Sequence, residues 1–105
     1  MKLSEKQRLF TQLIGELIVW AYNNDMELTF GDCYRSPSVH YGHPKSTHRS
    51  RLAVDFNLFV DDEYKTKTED YKILGEKWES MHSLCKWGGR FEDGNHFSFE
   101  HEGVK

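Results

Sequence analysis

The chain has 105 residues, of which 30% are charged and 14% aromatic, and its formal net charge is −3. That length suits one domain, residues 1–105, able to bury about two-thirds of its unfolded surface, and the aromatic content with clear periodicity excludes a disordered chain. The slightly acidic balance supplies no basic field for nucleic acid, and no apolar run is long enough to span a membrane.

Met1-Lys2-Leu3-Ser4 leads straight into an amphipathic segment with no secretory leader, so synthesis in the cytoplasm is expected. Ser4-Glu5-Lys6-Gln7 is a capping-box pattern, with Gln7 placed to reach back over the first turn. Leu9, Phe10, Leu13, Ile14, Leu17, Ile18 and Ala21 then recur at helical spacing. A helix is predicted from Ser4 to Tyr22, stopped by Asn23-Asn24-Asp25. Its polar face mixes Lys6, Arg8, Gln12 and Glu16, so the stripe belongs to a core and not to a membrane surface.

Met26 to Cys33 reads as a strand running into Tyr34-Arg35-Ser36-Pro37-Ser38. Residues 36–50 form a long polar stretch without periodicity that holds His40, His43 and His48, and loops of that length in small domains are often functional. Cys33 with these histidines lacks the paired-cysteine spacing of a zinc knuckle, so His40 and His43 are expected at a cleft mouth, His43 touching substrate. With only Cys33 and Cys85, the chain has no disulfide framework, and whether the two pair is left open.

Leu52 to Phe59 alternates as a strand, with Leu52, Val54, Phe56 and Leu58 on one face and Ala53, Asp55 and Asn57 on the other. Val60 to Lys65 is expected to turn into a short returning strand; its carboxylates lack the ligand order of a calcium loop. Thr68 is the predicted N-cap of a second helix with an acidic first turn, Tyr71, Leu74, Trp78, Met81 and Leu84 facing inward. Trp87-Gly88-Gly89-Arg90-Phe91 follows, its glycines suited to close backbone approach at a cleft floor, and Trp87 either walls a substrate pocket or packs. Asp93-Gly94-Asn95 is a turn, and His96 to Glu100 alternates with Phe97 and Phe99 opposite His96, Ser98 and Glu100.

If these strands share a sheet, Asp55 and His96 meet on its polar face and His48 enters from the preceding loop. Zinc accepts imidazole nitrogen and carboxylate oxygen, and a catalytic zinc keeps three protein ligands and one open position. His48, Asp55 and His96 supply that set, one ion in all, and the same ligands would accept cobalt or manganese. Asp93, three residues before His96, is placed to move a proton from water to a leaving amine. Each residue alone has an ordinary reading as a surface, strand or turn residue; the spacing and shared faces favour the joint one. The expected architecture is α+β: two helices on one face of a small, mainly antiparallel sheet and a zinc cleft on the other.

Ser46-x-His48, Ala53-x-Asp55, Trp87-Gly88-Gly89 and Asp93-x-x-His96 together resemble the M15 metallopeptidases, above all the short phage peptidoglycan peptidases, over about Phe30 to Glu102. The resemblance implies that His48, Asp55 and His96 bind zinc and that Asp93 is the catalytic acid/base. It further implies that Arg35, in Tyr34-Arg35-Ser36, binds substrate or an oxyanion, and that Ser46 borders the substrate. Arg51 stands where the commoner family pattern has glycine. The implied function is cleavage of a peptidoglycan stem peptide by an endolysin-type L-alanyl-D-glutamate endopeptidase, with a D-alanyl-D-alanine carboxypeptidase or dipeptidase as the alternative. A non-catalytic zinc-containing module that binds cell wall is a second alternative, disfavoured by the intact Asp93. Such a protein is expected to act as a monomer, with no stable membrane association, on a wall reached through a membrane-permeabilising phage partner.

Overall fold

The computed structural model describes residues 1–36, 38 and 46–105. His40 and His43, expected at a cleft mouth, lie outside the described residues.

The first apolar stripe folds as helix α1, Leu3–Asn23, which buries Phe10, Leu13, Ile14, Leu17 and Ala21, with Leu9 and Ile18 partly buried against the same core. Its cap differs from the expected one. Lys2 is the N-cap residue, and the Glu5 carboxylate accepts from the Lys2 N–H at 3.2 Å, so Ser4 sits inside the first turn. An anionic side chain at the positive end of a helix is the better partner for an unpaired amide. Gln7 instead donates through Nε2 to the Ser50 carbonyl at 2.9 Å, tying α1 to the segment that carries His48.

Among the described residues five antiparallel strands follow: β1 Glu27–Phe30, β2 Ala53–Val60, β3 Glu63–Lys65, β4 Cys85–Trp87 and β5 His96–Phe99. Their order is β1-β2-β5-β4, with β3 also paired to β2. β2 is the axis. β1 pairs with its residues 56–59 on one edge, while β5 pairs with residues 53–55 and β3 with residues 58–60 on the other. The Leu58 N–H falls between β5 and β3 and donates to the Tyr71 hydroxyl at 3.0 Å, which itself donates to the Lys65 carbonyl at 2.9 Å.

β1 ends earlier than the alternation predicts, because the pairing bulges. Past Phe30↔Phe56, the Gly31 N–H donates to the Asp55 carbonyl and the Asp55 N–H donates to the Asp32 carbonyl, each at 2.7 Å. Two residues of one strand oppose one of the other, which bends the chain away beside Asp55. The turn from β2 to β3 is the two-residue Asp61-Asp62, both with positive φ, the conformation that suits the twist of a tight hairpin.

Thr68–Tyr71 forms a 3₁₀ turn before helix α2, Lys72–Met81. The expected Thr68 cap is therefore corrected: Lys67 is the cap residue, and its N–H donates to Asp70 Oδ2 at 3.2 Å. Tyr71, Leu74 and Trp78 are buried as predicted, with Met81 and Leu84 partly buried beside them.

Both helices pack on one face of the sheet, against Val54, Phe56, Leu58, Phe97 and Phe99. Phe10 meets Trp78 and Phe99 edge-on at ring-centroid distances of 5.7 and 5.5 Å, a favoured aromatic arrangement. The Trp78 indole N–H, which cannot be left unpaired in such a core, donates to the Ser98 carbonyl at 3.0 Å. The fold is thus α+β as the patterning predicts. Cys85 is in this core and Cys33 is exposed, and both thiols are free. Among the described residues, no helix is long and apolar enough to cross a membrane.

Candidate metal centre

Asp55 and His96 are directly opposite in the β2–β5 ladder, so strand alternation sends both to the face that the helices leave uncovered. His48 arrives on a 3₁₀ turn, Thr47–Ser50, capped by the Ser46 hydroxyl, which accepts from the His48 N–H at 3.3 Å. Arg35 pins the same turn: its N–H donates to the His48 carbonyl at 3.2 Å, and Nη1 donates to Ser46 Oγ at 3.4 Å. The turn closes at Arg51, whose φ of 56° is left-handed, a conformation that favours glycine. The Arg51 guanidinium lies 4.1 Å from the Tyr34 ring centroid, a cation–π contact that offsets part of that cost.

The three side chains converge closely. His48 Nε2 is 3.1 Å from Asp55 Oδ1, His96 Nδ1 is 3.4 Å from the same oxygen, and the two nitrogens are 3.3 Å apart. Among the described residues, these are the group whose ligand atoms lie close enough together, within 4.8 Å, to hold one metal ion.

Each imidazole's other nitrogen decides what the inner one can do. His48 Nδ1 is 2.8 Å from the Cys33 carbonyl and His96 Nε2 is 3.3 Å from the Lys105 carbonyl. A carbonyl only accepts, so each outer nitrogen donates there, and when a metal cation in place of a proton lies among the inner atoms both inner nitrogens present lone pairs to it. Two such nitrogens and a carboxylate oxygen repel one another unless a cation or a proton lies among them. This is the donor set, with its outer hydrogen-bond partners, that a divalent transition metal uses.

The charges reflect the same crowding. Burial disfavours the Asp55 carboxylate, yet hydrogen bonds and charge from His48 and His96 overcome it and hold its pKa at about 2. Burial likewise opposes a charge on His48, but its hydrogen bond to Asp55 and that carboxylate's charge leave its pKa raised.

Asp93 stands beside the trio, with Oδ2 4.0 Å from His96 Nδ1. Its pKa is raised, first by burial of the charged form and then by the Asp55 charge, against the pull of His96, His48 and Arg35. The turn that carries it folds tightly onto Gly88, whose carbonyl accepts from the Asp93 N–H at 2.8 Å. A Cβ on Gly88 would overlap the Asp93 carbonyl and crowd His96 Cβ.

A cavity of about 680 Å³ opens over these groups, lined also by Arg35, Ser46, Phe91, Asp93 and the residues Gly103 to Lys105. Arg35 is nearly buried, its guanidinium 3.3 Å from the Asp32 carboxylate. Of the expected substrate contacts, Ser46 lines the cavity, and His43 lies outside the described residues. Of the two readings of Trp87, packing holds and the pocket-wall role is corrected: it pairs with Phe97, on the helix face, and is buried in the core. Its indole N–H donates to the Gly94 carbonyl at 2.7 Å, so it braces the Asp93 turn from behind.

Sequence reasoning missed Phe91, whose ring lies 5.8 Å from that of His96, and the C-terminal turn. The second had a signal in Gly103 alone, since glycine suits the second position of a two-residue turn.

No protein-family model matches the chain, and no curated protein matches it significantly.

Proposed function

We propose that the domain is a zinc-dependent peptidase that hydrolyses a peptide bond in peptidoglycan stem peptides, acting as an endolysin-type L-alanyl-D-glutamate endopeptidase. One observation carries the metal reading: the ligand atoms of His48, Asp55 and His96 lie within 4.8 Å of one another, while the outer nitrogen of each imidazole faces a backbone carbonyl. The substrate class rests on the M15-like motif pattern.

His48 Nε2, Asp55 Oδ1 and His96 Nδ1 would hold zinc, whose Lewis acidity lowers the pKa of the attacking water and polarises the scissile carbonyl. Asp93 takes the water's proton and returns it to the departing amine, a task that the raised pKa of its carboxyl suits. Arg35, held by Asp32 and Ser46, supplies permanently charged N–H donors for the developing oxyanion. Phe91, which lines the cavity, would offer an apolar wall to the bound peptide. The protein works as a monomer and reaches the wall after a partner permeabilises the membrane.

The test is mass spectrometry of fragments released from purified peptidoglycan by zinc-loaded protein, with Asp93→Ala alongside. New D-glutamate N-termini are expected. Free D-alanine would assign a carboxypeptidase on the same site. No release, with zinc bound, would leave a wall-binding module.

A further inference from the structure

Beyond the last strand the chain does not simply trail off. His101 and Val104 exchange both backbone hydrogen bonds, at 2.8 and 2.9 Å, around Glu102 and Gly103, which both have positive φ. The pair is a complete two-residue hairpin turn. Lys6 Nζ on α1 donates to His101 Nδ1 at 3.2 Å, which fixes the base of this turn to the first helix. From that anchored base, Gly103, Val104 and Lys105 run along the cavity, and the Lys105 carbonyl accepts from His96 Nε2 at 3.3 Å.

A neutral histidine exchanges between two tautomers. Which nitrogen it offers to a metal is set by the hydrogen bond made by the other one. His48 takes its partner from the bulged segment, Cys33; His96 takes its partner from the C-terminal turn alone among the described residues.

We infer that the turn His101–Lys105 is a positioning strap for His96: the Lys105 carbonyl holds the Nε2–H, which delivers Nδ1 to Asp55 Oδ1 and His48 Nε2, while Gly103 to Lys105 line the cleft. The strap acts through His96 and touches no reacting atom. Its consequence for metal binding rests on the proposed zinc reading; its consequence for the imidazole does not.

Two variants test it. One ends the chain after Glu102, removing three residues of which none belongs to the buried core. The other, Gly103→Val, keeps the length but puts a β-branched residue at φ 79°, which breaks the turn. Long-range proton–nitrogen NMR of the metal-free protein, above the pH at which the histidines protonate, reads the His96 tautomer directly. The wild type is expected to carry the hydrogen on Nε2, and both variants to show a mixture. Zinc affinity, measured by competition with a chromogenic chelator, is expected to fall roughly 10- to 100-fold in both, as when the outer partner of a metal-binding histidine is lost. Circular dichroism confirms that the variants remain folded. An unchanged tautomer, or zinc affinity within about twofold of the wild type, would overturn the strap. Failure of the wild type itself to bind zinc would sink the zinc reading and leave the tautomer measurement to judge the strap.

Discussion

Asp55 and His48 share one interaction, so their pH effects come as a pair. In the metal-free protein the Asp55 pKa is lowered to about 2 from an unfolded value of 3.8. Its contribution is therefore complete above 3.8 and lost as pH falls toward 2, on the order of 2 kcal/mol. The raised pKa of His48 works the other way: its share is complete below 6.5 and lost as pH rises through the folded value. Metal-free wild type should gain stability relative to Asp55→Asn between these limits, and urea melts at pH 2, 5 and 8 would read it. Zinc competes with a proton on His48, so zinc affinity should climb with pH up to and beyond 6.5; a pH-independent affinity would contradict the ligand assignment. Asp93→Ala should keep zinc within a few-fold while hydrolysis falls roughly 10²- to 10⁴-fold, the range for loss of a general acid/base. If both zinc binding and activity survived the substitution, the mechanism would be wrong.

At the scale of elements, the glycines around Trp87 carry more of the site than their chemistry suggests. Cβ atoms on Gly75 and Gly89 would overlap the Trp87 ring, and one on Gly88 would overlap the backbone of the Asp93 turn. Gly88→Ala has no flexible neighbour to yield. We expect a loss of about 2–4 kcal/mol, the cost of overpacking together with a displaced turn, with weakened zinc binding because His96 is crowded by the same Cβ. Gly75→Ala should cost a similar amount and leave zinc affinity nearly unchanged, so the pair separates core from site. The β2–β3 hairpin offers the opposite sign. Asp62 has φ 62° at the second position of its turn, where glycine is preferred, so Asp62→Gly should raise stability by about 0.5 kcal/mol, visible as a higher melting temperature.

For the whole molecule, the candidate metal site joins parts distant in sequence: the 3₁₀ turn, the central strand, the last strand and the C-terminal turn. A ligand that binds only the folded state stabilises it by RT ln(1 + [L]/Kd), or about 2.7 kcal/mol at a hundredfold excess over Kd. In a domain of this size that is a rise in melting temperature of roughly 10 °C or more, reversed by a chelator. A thermal shift assay with and without zinc measures it, and no shift at saturating zinc would contradict the site.

The sequence by itself determined the elements whose side chains face one way at a fixed period: the α1 stripe, the inward residues of α2, and the alternation that puts Asp55 and His96 opposite the Phe97 face. Burial rewards such periods locally, so they are legible without a neighbour. Tertiary structure alone decided what depends on register and on backbone atoms. Trp87, open between cleft wall and core, went to the core because it pairs with Phe97, and β1 ended at a bulge because Gly31 and Asp32 both bond to Asp55. Likewise, the carbonyls of Cys33 and Lys105 became the partners of the two histidines. A carbonyl is the same in every residue, so its role is written only in where the fold carries it.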